Sequence, residues 1–210
     1  MGGAVLANTN MDRNISRHFQ MSVRNATSDD WFESLHAQKE LGNGLYTIPV
    51  FATAWGIGKI FPESTLATTS GTWGERSLRA ILVGAPPMLT AQYLTGGSRP
   101  HERSSHSHWS PFRDNNGVSG HSFMSSIPFI TAAKMTERPW LKGLYYAAST
   151  LGPLSRINDD AHYPSQAILG WWMAYLAASV VDQTDSAANG PQIVPIPASH
   201  GSGIGIEFRR

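Results

Sequence analysis

The chain has 210 residues, which is enough for one domain with a hydrophobic core. Its net charge of +1 excludes the strongly basic surface that is typical of nucleic-acid-binding proteins. Charged residues make up only 15% of the sequence, against roughly 25% in an average soluble domain. Cysteine is absent, which suits an exported protein but excludes no compartment.

Three stretches are apolar enough to raise the question of a membrane span, and they cover residues 44–57, 78–95 and 161–181. The first stops short of Lys59, and the other two are interrupted by a Pro-Pro pair and by polar residues. None supplies the roughly 20 uninterrupted apolar residues that a transmembrane helix needs. We therefore expect a soluble or peripheral protein, and peripheral membrane contact stays open as an alternative.

Apolar periodicity and helix-terminating residues predict six helices in chain order. Ser28-Asp29-Asp30 is typical of a helix start, and Gly42 ends that first helix. The third helix is predicted to begin at Thr72, where Thr-Trp-Gly-Glu has capping-box spacing, and to end before Gly96. Pro139 is suited to the first turn of the fifth. The predicted helices cover residues 28–41, 45–60, 72–95, 119–134, 139–154 and 164–182.

The remaining segments are predicted to be an arm, two long loops and a tail. Residues 1–27 are polar and aperiodic, and residues 185–210 are rich in Pro, Gly and Ser, with one short strand near the end. The loops are 98–118 and 155–163. We expect a single domain over the whole chain, with an all-α bundle of six helices over 28–184 as its core.

Three short motifs in or beside the two loops carry the chemistry. They are Arg99-Pro100, Ser119-Gly120-His121, and Ser155-Arg156 with His162 six residues after the arginine. A phosphate ester needs fixed positive charge and precise positioning during transfer. Arginine forks bind two phosphate oxygens each, and the backbone N–H groups at a helix start form an anion cradle. The pattern therefore favours the binding and breakdown of a phosphate ester.

This arrangement resembles the type 2 phosphatidic acid phosphatase superfamily, which also contains bacterial acid phosphatases and vanadium haloperoxidases. The family signature is Lys-x6-Arg-Pro, then Pro-Ser-Gly-His, then Ser-Arg-x5-His-x3-Asp. The chain departs from it at Gln92, Val118 and Gln166, which replace the lysine, the proline and the aspartate. The resemblance implies the family's six-helix core and a site on the outer side of a membrane, hence an extracytoplasmic, periplasmic or membrane-associated location.

The resemblance also implies a role for each site residue. His162 is the nucleophile that forms a phosphohistidine, and His121 is the general acid that protonates the leaving alkoxide and later activates water. Gln166 is expected to accept the Nδ1 hydrogen of His162, as the family's aspartate does. The expected phosphate ligands are Arg99, Ser119, Gly120, Ser155 and Arg156, with a weaker contribution from Gln92.

The sequence thus predicts a metal-independent acid-type phosphatase that acts on phosphomonoesters, lipid phosphates or lipid diphosphates. We expect no cofactor, no metal and no nucleic-acid partner, and we expect vanadate to inhibit as a transition-state mimic. His101, His106 and His108 have spacing that can bind zinc, but no acidic partner forms an obvious pattern with them. Two alternatives stay open: a vanadium-dependent haloperoxidase, with vanadate as cofactor, and a phosphate-binding homologue with little turnover. The oligomeric state also stays open.

Overall fold

The computed structural model describes residues 2–28, 37–102, 107–188, 191–198 and 201–208. Helices dominate this part of the chain, so the predicted all-α class is confirmed. A π-helical segment, Phe19–Ser28, follows the second helix. The α-helices are α1 (Gly2–Ala7), α2 (Asn10–His18), α3 (Ala37–Leu41), α4 (Gly44–Ile60), α5 (Thr65–Thr95), α6 (Gly120–Met135), α7 (Pro139–Ser149), α8 (Leu151–Asn158) and α9 (Pro164–Ala188).

The C-terminal tail forms two short antiparallel strands that pair with each other. Its strands are β1 (Pro191–Ala198) and β2 (Gly201–Phe208). Pro191 pairs with Phe208 at one end of the ladder, and Ala198 pairs with Gly201 at the other. One short strand was predicted in this tail, and the structure has two.

Helix α5 is the longest element and begins earlier than the capping-box spacing predicts. Ser64 is its N-cap, since its Oγ accepts the Ala67 N–H at 3.3 Å. Thr72 lies inside the helix, where its hydroxyl donates to the Thr68 carbonyl at 2.9 Å. The predicted start at Thr72 is therefore wrong. The predicted end is confirmed, because Gly96 adopts the left-handed conformation (φ 58°) that glycine tolerates at a helix C-terminus.

The hydrophobic core lies where α5, α6 and α9 meet. Phe123, Ile127 and Ile130 on α6 are fully buried in it. Gly84 on α5 allows this packing, because a Cβ there would come within 3 Å of the Phe123 ring and the Ala177 methyl group. This core fixes the first turn of α6, and that turn carries the Ser-Gly-His motif.

The fifth predicted helix is two helices in the structure. Helix α7 ends at Ser149, Thr150 separates the two helices, and α8 runs from Leu151 to Asn158. Ser155 and Arg156 therefore lie on a helix and not in the predicted 155–163 loop. Pro153 is compatible with this arrangement because it falls in the first turn of α8, where its missing N–H has no intrahelical acceptor. Only residues 159–163 remain as a connection to α9.

The N-terminal residues are helical, so the prediction of an aperiodic arm over 1–27 is wrong. Thr9 caps α2 by accepting the Met11 N–H at 3.3 Å. Helix α1 packs against α9, because a Cβ on Gly3 would lie 3.1 Å from the Leu169 side chain. The predicted helix 28–41 falls largely outside the described residues, which contain only its final turns as α3. Helices predicted at 45–60, 119–134 and 164–182 correspond to α4, α6 and the longer α9.

Within the described residues, none of the helices combines the length and apolarity that crossing a membrane requires. Several large apolar side chains are nevertheless exposed on α4 and at the start of α5. Leu45 and Leu66 are the most exposed, at 81% and 79%.

Candidate active site

The Ser-Gly-His motif forms the start of α6. Ser119 is the N-cap, fully buried, and its Oγ accepts the Ser122 N–H at 3.2 Å. Its backbone N–H donates to the Gln166 carbonyl at 2.9 Å, which ties this helix start to the start of α9. Gly120 is the first residue of the helix. Its backbone therefore lies where free N–H groups and the positive end of the helix dipole favour an anion.

Gln92 lies beside this turn and supports it. Its Nε2 donates to the Val118 carbonyl at 2.8 Å, and a Cβ on Gly120 would lie 3.5 Å from the same nitrogen. One amide hydrogen of Gln92 is therefore used to hold the backbone just before Ser119. A positioning role for Gln92 is better supported by this contact than the weak phosphate contact that the sequence suggested.

Arg99 is oriented by neighbours that the sequence did not single out. Its Nε donates to Asn116 Oδ1 at 2.8 Å, and its backbone N–H donates to Glu102 Oε2 at 2.8 Å. Asn116 in turn donates from Nδ2 to Asp114 Oδ1 at 2.7 Å. The guanidinium is thus fixed through its inner nitrogen, and its two terminal nitrogens are the donors that a bidentate phosphate contact uses. The polar run Asp-Asn-Asn-Gly in the loop was the available signal for this support.

Arg156 is 9% exposed and is only partly neutralised. Its Nη1 donates to Asp159 Oδ2 at 3.2 Å. Its Nε and the neighbouring Ser155 Oγ are both buried, and neither has a hydrogen-bond partner among the described residues. Buried donors without an acceptor are costly, so they call for an explanation. A bound anion would supply the acceptor oxygens that such donors lack.

His162 is 4% exposed, and Gln166 fixes its ring. The Nδ1 atom of His162 lies 3.0 Å from Gln166 Oε1. The orientation of this amide is set by two further contacts: its Nε2 donates to the Ser98 carbonyl at 2.8 Å, and its Oε1 accepts the Tyr163 N–H at 3.1 Å. Because an oxygen faces Nδ1, the hydrogen of the neutral ring resides on Nδ1. Nε2 then carries the lone pair that a nucleophile needs.

The charges of Arg99 and Arg156 act on both histidines of the motifs. Burial lowers the pKa of His162 to about 3, the Gln166 hydrogen bond acts in the opposite direction, and the charges of Arg99 and Arg156 lower it further. Burial also lowers the pKa of His121, again with contributions from Arg156 and Arg99. Both rings are therefore neutral at neutral pH, and both feel the same two positive charges.

His121 is in close contact with the segment before α4. A Cβ on Gly42 would lie 2.9 Å from His121 Cδ2, so glycine is needed for this approach. Lys39 also lowers the pKa of His121, by less than burial and the two arginines do, and Glu40 raises it. The short helix α3 therefore contributes one wall of the site, which no sequence motif indicated.

The loop histidines whose spacing can bind zinc are not grouped around a metal site in the described part of the chain. His101 Nδ1 lies 3.1 Å from the Asp160 carbonyl, and His106 lies outside the described residues. In the part of the chain that the structure describes, no three His, Asp or Glu residues are placed to hold one metal ion.

A comparison with protein families shows which family the chain belongs to. A model described as the PAP2 superfamily matches residues 78–188, which is more than half of the chain. The chain belongs to the PAP2 superfamily. No curated protein and no solved structure matches significantly. The PAP2 match runs from the middle of α5 to the end of α9 and contains all of the predicted site residues. It confirms the resemblance that the motifs suggested.

Proposed function

We propose that this PAP2 superfamily protein is a metal-independent phosphatase that hydrolyses phosphate esters through a phosphohistidine on His162. Membership of the superfamily supports phosphatase or haloperoxidase-type chemistry. The observation that carries the finer proposal is the state of His162. Its ring is buried and neutral, Gln166 holds Nδ1, and two arginine charges lie nearby.

In the first step the guanidinium groups of Arg99 and Arg156 hold the phosphate oxygens. The Nε2 lone pair of His162 attacks phosphorus, the new P–N bond forms, and the bond from phosphorus to the ester oxygen breaks. His121 gives its proton to the departing alkoxide. The ring of His162 becomes positively charged, and Gln166 Oε1 accepts the hydrogen bond from its Nδ1.

In the second step a water molecule attacks the phosphorus atom of the phosphohistidine. Neutral His121 accepts a proton from that water, the P–N bond breaks, and its electron pair returns to His162 Nε2. Inorganic phosphate leaves. The arginines stabilise the charge on the equatorial oxygens in both steps, which is the main requirement of phosphoryl transfer.

This mechanism implies an acid-type pH dependence. His121 must carry a proton to act first, yet burial and the two arginines lower its pKa in the free protein. A bound phosphate anion opposes the arginine charges and raises the pKa of His121 again. We therefore expect activity to fall as the pH rises through the pKa of His121 in the substrate complex.

Lipid phosphates are the substrate class that the surface beside the site favours. Gly42 packs on His121, and α4 begins two residues later with Leu45 and Tyr46, which are 81% and 60% exposed. Apolar side chains at the edge of a polar site can contact the acyl chains of a lipid whose headgroup lies between the arginines. A small soluble monoester gains nothing from them.

The proposal is tested by phosphate release from p-nitrophenyl phosphate and from phosphatidic acid in detergent micelles, with EDTA present. We expect turnover of both, a higher kcat/KM for the lipid, and inhibition by vanadate. Halide oxidation that depends on added vanadate and peroxide, without phosphate release, would establish the haloperoxidase alternative. Phosphate binding without turnover would establish the binding homologue.

The nucleophile is tested separately with His162→Ala and the control His18→Ala, which changes an exposed histidine on α2. Rapid quenching of the wild type with a ³²P-labelled substrate should trap label that is stable to base and released by acid, as expected of a phosphohistidine. His162→Ala should show neither label nor turnover, and His18→Ala should show both. Labelling of His162→Ala would refute the assignment.

A further inference from the structure

The N-terminal residues 7–24 lie outside the segment that the PAP2 model matches, yet they contact three segments that carry site residues. We infer that Asn8, Asp12 and Gln20 form an N-terminal clamp that positions His162 and the two arginines for the reaction. The inference rests on the proposed function where it concerns turnover. Two of its contacts are made directly beside a site residue, and the third is made to the loop that follows Arg99.

The first contact is between Asp12 and the start of α9. Asp12 is fully buried, its Oδ1 accepts the Ser165 N–H at 2.9 Å, and its Oδ2 accepts the Ser165 hydroxyl at 2.5 Å. The first N–H groups of a helix have no intrahelical acceptor, and a carboxylate there is favoured by the helix dipole. Asp12 therefore caps α9 from 153 residues away. Ser165 is the residue just before Gln166, so this cap also fixes the residue that orients His162.

The second contact is between Gln20 and the end of α8. Gln20 Nε2 donates to the carbonyls of Ile157 and Asn158, at 2.7 and 3.3 Å. Arg24 Nη1 donates to Gln20 Oε1 at 3.1 Å and so fixes the amide. The last carbonyls of a helix need donor partners outside it, and the Gln20 amide supplies one directly after Arg156.

These two contacts hold both ends of the 159–163 connection, which contains an uncommon backbone conformation. Asp160 has a φ of 52°, in the left-handed region. Burial raises the pKa of its carboxyl group, and a hydrogen bond from Ser16 on α2 and the charge of Arg24 lower it. Two other side chains of the N-terminal segment, those of Ser16 and Arg24, thus act on the middle of the connection.

The third contact is with the loop that follows Arg99. Asn8 Oδ1 accepts the Trp109 N–H at 3.0 Å, and the Ala7 carbonyl accepts the Ser107 hydroxyl at 3.1 Å. One N-terminal segment is therefore bonded to the segments that carry Arg99, Arg156 and His162. Reacting groups must be held close to the productive geometry, and a displacement of about 1 Å can cost on the order of 100-fold in rate.

The test uses the full chain with Asp12→Ala, Asp12→Asn and Gln20→Ala. Asn14→Ala is the control, because Asn14 is exposed on the same helix. We expect Asp12→Ala to lower kcat for p-nitrophenyl phosphate by about 10- to 100-fold, with a much smaller change in KM. Asp12→Asn should recover most of the loss, since its Oδ1 accepts the Ser165 N–H and its Nδ2 can donate to Ser165 Oγ. Gln20→Ala should lower kcat less than Asp12→Ala, and Asn14→Ala should match the wild type.

A second measurement is independent of turnover. In protein with ¹⁵N-labelled histidine, the His162 ring signals, assigned by their loss in His162→Gln, should show hydrogen on Nδ1 alone in the wild type. Asp12→Ala should show a mixture of the two tautomers. Wild-type kcat and wild-type ring signals in folded Asp12→Ala would overturn the inference. If Asp12→Ala does not fold, the same result in Gln20→Ala would overturn it. If the wild type has no turnover, the proposed function fails and the ring signals alone decide for or against the clamp.

Discussion

The buried ring of His162 should make the protein lose stability in acid, and His162→Gln should remove that loss. In the folded protein the pKa of His162 is lowered to about 3 by burial, while an exposed histidine in an unfolded chain has a pKa of about 6.5. Below that higher value the unfolded chain binds a proton that the folded protein does not. Stability is therefore lost as the pH falls from about 6.5 toward 3.

The size of the effect follows from the two pKa values. Between pH 7 and pH 4.5 the linkage relation gives a loss of roughly 2 to 3 kcal/mol from this one group. Other titrating groups add their own contributions, so the useful quantity is the difference between proteins. Glutamine does not titrate, and whatever His162→Gln costs through packing is the same at both pH values. The variant should lose roughly 2 to 3 kcal/mol less than the wild type over this interval.

Urea unfolding followed by circular dichroism at the two pH values measures this difference. His18→Gln is the matched control, because it removes an exposed imidazole from α2, and it should keep the wild-type loss. If His162→Gln and the wild type lose the same stability within about 0.5 kcal/mol, then His162 is protonated in the folded protein at pH 4.5. The neutral nucleophile and the role given to its burial would both be refuted.

Three further predictions follow from the same geometry. Gln166→Glu should raise the pKa of His162, because a negative oxygen favours the imidazolium, and the acid limb of a kcat/KM profile should move to higher pH; an unmoved limb would count against the contact. Arg156→Lys should lower kcat/KM by about 10- to 100-fold, since an ammonium cannot replace the fork that donates from Nε and Nη; steady-state kinetics would measure this, and an unchanged value would contradict the assignment. Ser64→Ala should cost about 1 kcal/mol in urea unfolding and leave kcat unchanged, because it removes only the cap of α5.

Elements that depend on neighbouring residues could be predicted from the sequence. Ser119 at the start of α6 and Gly96 at the end of α5 act through hydrogen bonds to residues three or four positions away or through their own φ. Helix-capping signals of this kind are visible in a few consecutive residues of the sequence. The three motifs themselves were readable for the same reason, since each is a run of adjacent residues.

Features that depend on distant contacts could not be predicted. Asp12 looks like one more acid in a polar stretch, and nothing near it in the sequence indicates that it bonds Ser165 at the start of α9. The orientation of the Gln166 amide is likewise set by the Ser98 carbonyl, 68 residues earlier. Neither contact produces a motif or a hydrophobic period that could be recognised in the sequence.

The two glutamines that depart from the family signature have the same structural role. Gln92 donates to the Val118 carbonyl before the Ser-Gly-His turn, and Gln166 donates to the Ser98 carbonyl before Arg99. The signature has a lysine and an aspartate at these positions, so the pair of changes removes one positive and one negative charge together. Each glutamine instead bonds a backbone carbonyl next to one of the three sequence motifs.

This exchange has a consequence for the reaction. A carboxylate behind His162 would favour its imidazolium form and raise its pKa, whereas the neutral Gln166 leaves burial dominant, with a pKa of about 3. The nucleophile then stays unprotonated in acid, where His121 can hold the proton that the leaving group needs. The neutral amide also stabilises the charged phosphohistidine less. We therefore expect a slower first step than a carboxylate would give, together with a working range that extends to lower pH.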